Sequence, residues 1–289
     1  MNLRNLCLRV CSGTVLVVLV LWTLCFAPLW VFSLVVIIFA ALALFEFFTM
    51  VRHRGILIHR ALGVGLGIVF MSLVAWRSLG ERGQAPFFLF GPNATMLNWS
   101  WDIFWPATIV IIFLRQFTRQ NTFEALSGLA TTLFGLAYIA GLFSYIFYIR
   151  AFAPDQGAWL VLFLILVTKM SDVGAFAVGN VAGRHALVSR ISPRKTVEGF
   201  VGGVAFSGVT AWVAVGMVPR LAGRPAAAVL LGMFLGVCSQ LGDLAESLIK
   251  RDCQIKDSGR FFPGMGGVLD VLDSLLFTAP IFYGFLIYG

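Results

Sequence analysis

The chain is a succession of long apolar runs, and that feature restricts its folding options more than any other. Of its 289 residues, 60% are drawn from AVILMFWYC and only 12% are charged, whereas soluble domains carry about 25% charged residues. A mean hydropathy of +0.93, with 28 Phe and 8 Trp, excludes both a soluble globular protein and a disordered chain, since so much apolar surface cannot remain in water. A helix crosses a bilayer core in about 20 residues, so this apolar content corresponds to roughly nine spans. Hydropathy places them at 11–26, 28–49, 61–79, 102–114, 124–149, 157–181, 198–218, 225–249 and 267–288. The expected fold class is therefore all-α: a polytopic integral membrane protein with about nine transmembrane helices.

The net charge of +8 and pI of about 9.7 raise nucleic acid as a partner, but the placement of the charges argues against it. Fifteen of the basic residues fall on one side of the alternating spans, five on the other, and Lys169 lies within a span. Cytoplasmic loops concentrate Lys and Arg, so the expected topology is N-in, C-out, with the bilayer as partner and no nucleic acid. Cys7, Cys11, Cys25, Cys238 and Cys253 contain no CxxC pair, and packing is their expected role. Arg4 and Arg9 before an apolar run imitate a signal peptide, yet hydrophobicity resumes directly after Pro28, which reads as a retained first span. The Gly-, Pro- and aromatic-rich stretch from Gly80 to Trp101 reads as interfacial.

The acids divide the chain. Eight of the thirteen (Asp172, Glu198, Asp243, Glu246, Asp252, Asp257, Asp270 and Asp273) lie between 172 and 273. Residues 1–160 thus read as a transmembrane scaffold, and 161–289 as a catalytic region with cytoplasmic loops 182–198 and 250–266. A charged side chain at the bilayer centre costs on the order of 2.5–3.5 kcal/mol on insertion scales, so such residues usually face a polar cavity or a partner. Lys169 and Asp172 share a helix face in the sixth span, Asp243, Glu246 and Lys250 form a stripe in the eighth, and Asp270 and Asp273 repeat the i, i+3 spacing in the ninth. The plain reading is a set of buried ion pairs. Against it, Asp270 and Asp273 have no basic residue within the following turn, and two adjacent carboxylates repel unless a cation or proton lies between them. Mg²⁺ uses one or two carboxylates plus substrate phosphates; a proton or Na⁺ pathway is the competing explanation.

The two loops favour phosphate. The string SPRKTVEG and the string KRDCQIKDSGRFFPGMGG set cations beside hydroxyls and glycines. Ser192-Pro193 has the form of a helix start, with Ser as N-cap and Pro at the first position, and helix N-termini bind anions. Gly264, Gly266 and Gly267 permit positive φ and close backbone approach to a ligand. Gly174, Gly179 and Gly183 permit close helix approach or local unwinding, and a gap beside them offers a lipid route.

The segment GDLAESLIKRDCQIKDSGRFFPGMGGVLDVLDS, residues 242–274, strongly resembles the motif of the phosphatidate cytidylyltransferase (CDP-diacylglycerol synthase) family. The matching positions are Ser247, Lys250, Arg251, Lys256, Asp257, Pro263, Gly264, Gly266, Gly267, Asp270, Asp273 and Ser274. Met265 stands where the family carries His, and Val271 where it carries Arg. DVGAFAVG from Asp172 and SPRKTVEG from Ser192 resemble two further family strings, so the likeness covers about residues 169–280. It implies cytidylyl transfer from CTP to phosphatidate, giving CDP-diacylglycerol and pyrophosphate with Mg²⁺ as cofactor, at the inner face of a bacterial plasma membrane. Catalytic residues would be Asp243, Asp270, Asp273 and Lys256, with Asp243, Asp270 and Asp273 as metal ligands. Ser192, Lys195, Thr196, Lys250, Arg251, Asp257 and Asp172 would bind the substrates. The Met265 position implies that no proton donor is needed there, and Arg260 or Lys256 is expected to replace the missing Arg at 271. A homodimer is compatible with this reading. The alternatives are a CTP-dependent polyprenol or phytol kinase, separated by its products, and an ion-coupled secondary transporter, which predicts inverted repeats that the one-sided acids do not suggest. A CDP-alcohol phosphotransferase is disfavoured because its Asp-x-x-Asp-Gly-x-x-Ala-Arg helix is absent.

Overall fold

In the computed structural model, residues 3–80, 103–118, 125–153, 155–264 and 266–289 are described. The expected interfacial stretch 80–101, apart from Gly80 at a helix end, and Met265 lie outside them. Apolar runs become helices because a helix satisfies every backbone N–H and C=O internally, which lipid cannot do. The chain runs α1 (Leu3–Cys25), α2 (Leu29–His53), α3 (Arg60–Gly80), α4 (Phe104–Phe117), α5 (Ala125–Gly135), a π-helical stretch Leu136–Gly141, α6 (Tyr145–Ala151) and α7 (Gly157–Ala182). A hairpin of β1 (Ala186–Val188) and β2 (Ser192–Thr196) follows, then α8 (Val197–Val213), α9 (Pro225–Asp252) and α10 (Val268–Tyr288).

Among the described residues, six helical stretches are long and apolar enough to cross a membrane: Leu29–His53, Arg60–Ser78, Ala125–Ala151, Gly157–Ala182, Pro225–Asp252 and Val268–Tyr288. Cys11–Cys25, Phe104–Phe117 and Val197–Val213 are shorter apolar helices. The protein is thus a predominantly helical integral membrane protein. The all-α expectation is corrected only at the hairpin. Ser192-Pro193 does not start a helix: β2 pairs antiparallel with β1, Val188 opposite Ser192 and Ala186 opposite Thr196. Proline is tolerated there because both strands of a two-stranded hairpin are edges. The helix starts after Thr196, whose Oγ1 accepts from the Gly199 N–H at 3.1 Å, as an N-cap should.

The Gly-rich face of α7 serves close approach rather than unwinding. A Cβ on Gly174 would lie 2.6 Å from the Phe206 Cβ, and one on Gly202 would lie 2.5 Å from the Val178 Cβ, so α7 and α8 touch backbone to backbone. Gly174 therefore lies in a helix contact, not beside a gap for lipid. A buried hydroxyl and an amide tie these helices further: Ser207 Oγ of α8 donates to the Val167 carbonyl of α7 at 3.1 Å, and Gln240 Nε2 of α9 to the Phe200 carbonyl of α8 at 2.9 Å. Such bonds hold helices in lipid, where burial of apolar side chains gives little drive. One contiguous core joins the two halves, with Phe47, Phe48 and Phe70 from the first half beside Phe163, Leu276 and Phe282 from the second.

Candidate active site

The acids and lysines singled out in the sequence converge where α7, α9 and α10 meet. Gly242 makes the approach possible: a Cβ there would lie 2.6 Å from the Asp273 carbonyl, so α9 can lie directly against α10. Asp243, the next residue, pairs with Lys195 Nζ from the hairpin at 2.7 Å. Lys169 of α7 pairs with Asp172 at 3.3 Å and donates to the Val271 carbonyl at 2.9 Å. Lys250 bridges Glu246, one turn earlier on α9, and Asp270 Oδ1 at 2.6 Å on α10. The basic partner that Asp270 lacks in its own helix thus arrives from a neighbour, and Lys169 donates to the backbone carbonyl at position 271.

Asp270 and Asp273, one turn apart, have different surroundings. Asp270 occupies the third position of α10 and spends both oxygens. Oδ2 accepts from the Gly267 N–H at 2.7 Å, the Ser258 hydroxyl at 2.9 Å and the Ser258 N–H at 3.1 Å, while Lys250 holds Oδ1. These bonds close the start of α10 onto the preceding segment. There the Phe262 and Gly266 backbones pair across a tight turn, with Gly264 at φ +80° and Gly266 at φ +103°, values that suit glycine. Asp273 is buried at 6% exposure, and its Oδ1 accepts from Ser274, the N–H at 2.5 Å and the hydroxyl at 3.0 Å. It has no ion pair within 4 Å among the described residues, although Asp243, Lys169 and Asp172 all act on it electrostatically. Glu246 is wholly buried, and its Oε1 finds no hydrogen-bond partner among the described residues.

Other expected site residues stand further out. Thr196 caps α8, and Ser192 is half-buried in β2. Arg251 Nε donates to the Ile191 carbonyl at 3.2 Å, tying the end of α9 to the hairpin. Lys256 and Asp257 are exposed and form no ion pair among the described residues. Glu198 binds the backbone N–H groups of Arg184 and His185 at 3.0 and 3.2 Å and the His185 ring at 2.6 Å, which closes the hairpin.

Sequence reasoning missed Glu46. It lies near the end of α2, buried at 8% exposure, and its Oε2 accepts from the Leu269 N–H at 2.9 Å and the Ser258 hydroxyl at 3.2 Å. Ser258 therefore joins Glu46 to Asp270. Any side chain on Gly259 or Gly267 would run into the Glu46 carboxylate. The available signal was an acid in a strongly apolar run, and the same rule that selected Asp273 applies to it.

The sequence profile of the Cytidylyltransferase family matches residues 7–288. The chain belongs to the cytidylyltransferase family. Two proteins named phosphatidate cytidylyltransferase resemble it over most of their length. The one from Synechocystis sp. is 33% identical over 288 residues, 89% of this chain and 89% of the relative. The one from Chlamydia trachomatis is 33% identical over 260 residues, 86% of this chain and 80% of the relative. An Escherichia coli protein, the uncharacterized YnbB, is 41% identical over 132 residues, and there the match spans 46% of this chain and 44% of the relative. The family profile thus covers the Glu46 region as well as the acid-bearing helices.

Proposed function

We propose that the protein transfers a cytidylyl group from CTP to phosphatidate, giving CDP-diacylglycerol and pyrophosphate. The observation that carries this reading is the meeting of α7, α9 and α10 at a cluster of acids and lysines within a membrane protein. Phosphatidate cytidylyltransferase is also the name of relatives that align over most of this chain. In such a transfer, a phosphate oxygen of the lipid bonds to the α-phosphorus of CTP as the bond to the β-phosphate breaks, and pyrophosphate leaves. No covalent protein nucleophile is required; the protein must align the two phosphates and neutralise charge.

The donor set fits Mg²⁺. Asp172, Asp243, Glu246, Asp270 and Asp273 face Lys169, Lys195 and Lys250, so five carboxylates against three ammonium groups leave a formal excess of two negative charges. The buried, unpartnered Glu246 Oε1 and the ion-pair-free Asp273 mark where that excess resides. No group of three or more His, Cys, Asp or Glu side chains is placed to hold a metal ion among the described residues. A Mg²⁺ ion held there would draw the rest of its octahedron from substrate phosphates and water. Asp243, Asp270 and Asp273 would hold the ion, directly or through water, and the ion would supply charge neutralisation on the departing pyrophosphate. Lys195 and Lys250, now on Asp243 and Asp270, would transfer their grip to substrate phosphates. Ser192, Thr196, Arg251, Lys256 and Asp257 would border the approach from the loops, and Asp172 pairs with Lys169 beside the Val271 carbonyl.

Because CTP is soluble and phosphatidate stays in the leaflet, the reaction belongs at a membrane face. The fifteen-to-five excess of basic residues supports a cytoplasmic face, with N-in, C-out topology in a bacterial plasma membrane. The test is direct. Detergent-purified protein given phosphatidate, Mg²⁺ and CTP labelled at the α-phosphate should place the label in CDP-diacylglycerol and release one pyrophosphate per lipid. Release of CDP with no label in the lipid would replace this reading by phosphoryl transfer to a lipid alcohol.

A further inference from the structure

Tyr138 belongs to the first half of the chain, yet its hydroxyl lies in the field of the acids of the second. The membrane-crossing stretch Ala125–Ala151 is α-helical to Gly135, widens into a π-helix over Leu136–Gly141 and returns to helix at Tyr145. Such widened turns re-aim side chains and recur at functional sites. The Tyr138 ring stacks on Phe134 at 5.5 Å and 11° and meets Phe277 of α10 edge-on at 6.4 Å. Only 6% of the residue is exposed, and its hydroxyl is buried with no hydrogen-bond partner among the described residues. The charged groups acting on it are, in falling order, Asp273, Glu246 and Asp243. All are acceptors and none takes its proton, although buried hydroxyls are normally bonded.

We propose that Tyr138 is a further substrate-contacting residue, whose hydroxyl donates to a phosphate oxygen of the lipid substrate beside the acid cluster. This inference rests on the cytidylyltransferase reading and names which substrate Tyr138 serves. Two observations select the lipid over the nucleotide. Tyr138 enters from the interior of a membrane-crossing stretch, whereas the cytoplasmic loops carry the cations suited to CTP. Its stacking partner Phe134 also lines a cavity of about 480 Å³ between α2, α5 and α9, mostly apolar through Phe47, Val51, Leu248 and Ile249 but with the Arg54–Asp252 pair in its wall. A mostly apolar cavity one ring away from Tyr138, beyond Phe134, and the acid and lysine cluster on its other side match a molecule with acyl chains and a phosphate.

Tyr138→Phe removes one oxygen and keeps both ring contacts. The expected result is a KM for phosphatidate raised about tenfold with the KM for CTP within twofold, the scale of one hydrogen bond to a charged group. Binding read without turnover should agree. With neither CTP nor Mg²⁺ present, the affinity for phosphatidate should fall about tenfold, and that for diacylglycerol, which has no phosphate, should not change. A second measurement leaves the fold untouched: 3-fluorotyrosine at position 138 should shift its ¹⁹F signal on adding phosphatidate and not on adding CTP. The inference is overturned if phosphatidate KM and affinity stay within twofold of the parent, if CTP KM rises as much as lipid KM, or if the fluorine signal ignores phosphatidate. A parent protein that binds phosphatidate through Tyr138 but forms no CDP-diacylglycerol would sink the activity and spare the contact.

Discussion

The helices α1 to α6 and α7 to α10 are built to one hydropathy but solve different problems. In α1 to α6, Glu46 is the one acid within a helix among the described residues, and aromatic packing such as Phe47 on Phe48 and Phe70 on Phe104 fills the interior. The helices α7 to α10 also approach through glycines, as α3 does on α2 at Gly63 and Gly67. Among them, however, hydroxyls join rings such as Phe163 on Phe282 at the contacts, and acids and lysines lie between the helices. The contrast shows that apolarity decides where a helix lies, while small residues decide whether a polar site fits between helices. Glu46 and Tyr138 are two points at which the first region reaches toward the acids of the second.

The largest effect should come from removing a carboxylate whose hydrogen bonds, among the described residues, run only to the adjacent residue. Asp273→Asn keeps shape and the acceptor for Ser274 but removes the charge, and turnover in the CTP assay should fall by at least two orders of magnitude (about 2.7 kcal/mol), with the thermal midpoint within a few degrees of the parent. Asp243→Asn should behave alike. Asp270→Asn should lose activity as well, but with a lower midpoint, because Oδ2 holds three donors that close the start of α10. Equal midpoints for Asp270→Asn and Asp273→Asn would erase the distinction between them.

Next comes Glu46→Ala, which tests whether the first region only supports. It leaves the Leu269 N–H without its acceptor and the Ser258 hydroxyl with Asp270 alone, and a buried group so stranded costs about 1–3 kcal/mol. Lower stability by that amount is expected together with at least tenfold lower turnover, since Ser258 also holds Asp270. Glu46→Gln, which still offers an oxygen, should recover most of the stability. An active, stable Glu46→Ala protein would confine the site to the second region.

These cases show what was legible beforehand. The apolar spans were, because about 20 residues must cross the core whatever surrounds them. The acids of α9 and α10 were, because a charge in such a run is costly. Lys250 as the partner of Asp270 was not, since the two lie 20 residues apart and only packing joins them. Glu46 lay further off still, with partners 212 and 223 residues away in sequence. The hairpin was misread because Ser-Pro matches a helix start locally, while the cross-strand pairing that overrides it involves Ala186 and Val188, outside the string.

The glycines offer a smaller effect. Gly202→Ala puts a methyl where Val178 already stands, and overpacking of this kind costs about 1–3 kcal/mol. The thermal midpoint should fall while the KM values for both substrates hold, since Gly202 faces α7 and not the acids. Gly65→Ala in α3, where a Cβ meets nothing within 4 Å, should be neutral or slightly stabilising. Similar destabilisation at both positions would remove the difference in packing drawn between the regions.

The smallest effect is expected where the regions meet in water. Arg54, just after α2, pairs with Asp252 at the end of α9, and the two side chains are 45% and 55% exposed. It is a link between the halves made by full charges, and on a diagram it would look stronger than the Glu46 contacts. Solvent screening and the entropy of holding two long side chains reduce exposed pairs to about 0–1 kcal/mol. Arg54→Gln should therefore shift the midpoint little, and the shift should shrink further as salt rises. The Glu46→Ala loss, made of buried hydrogen bonds, should change little with salt. If Arg54→Gln instead destabilised the protein as much as Glu46→Ala, the two regions would be held together chiefly by charge at the membrane surface, and burial would no longer explain why Glu46 matters.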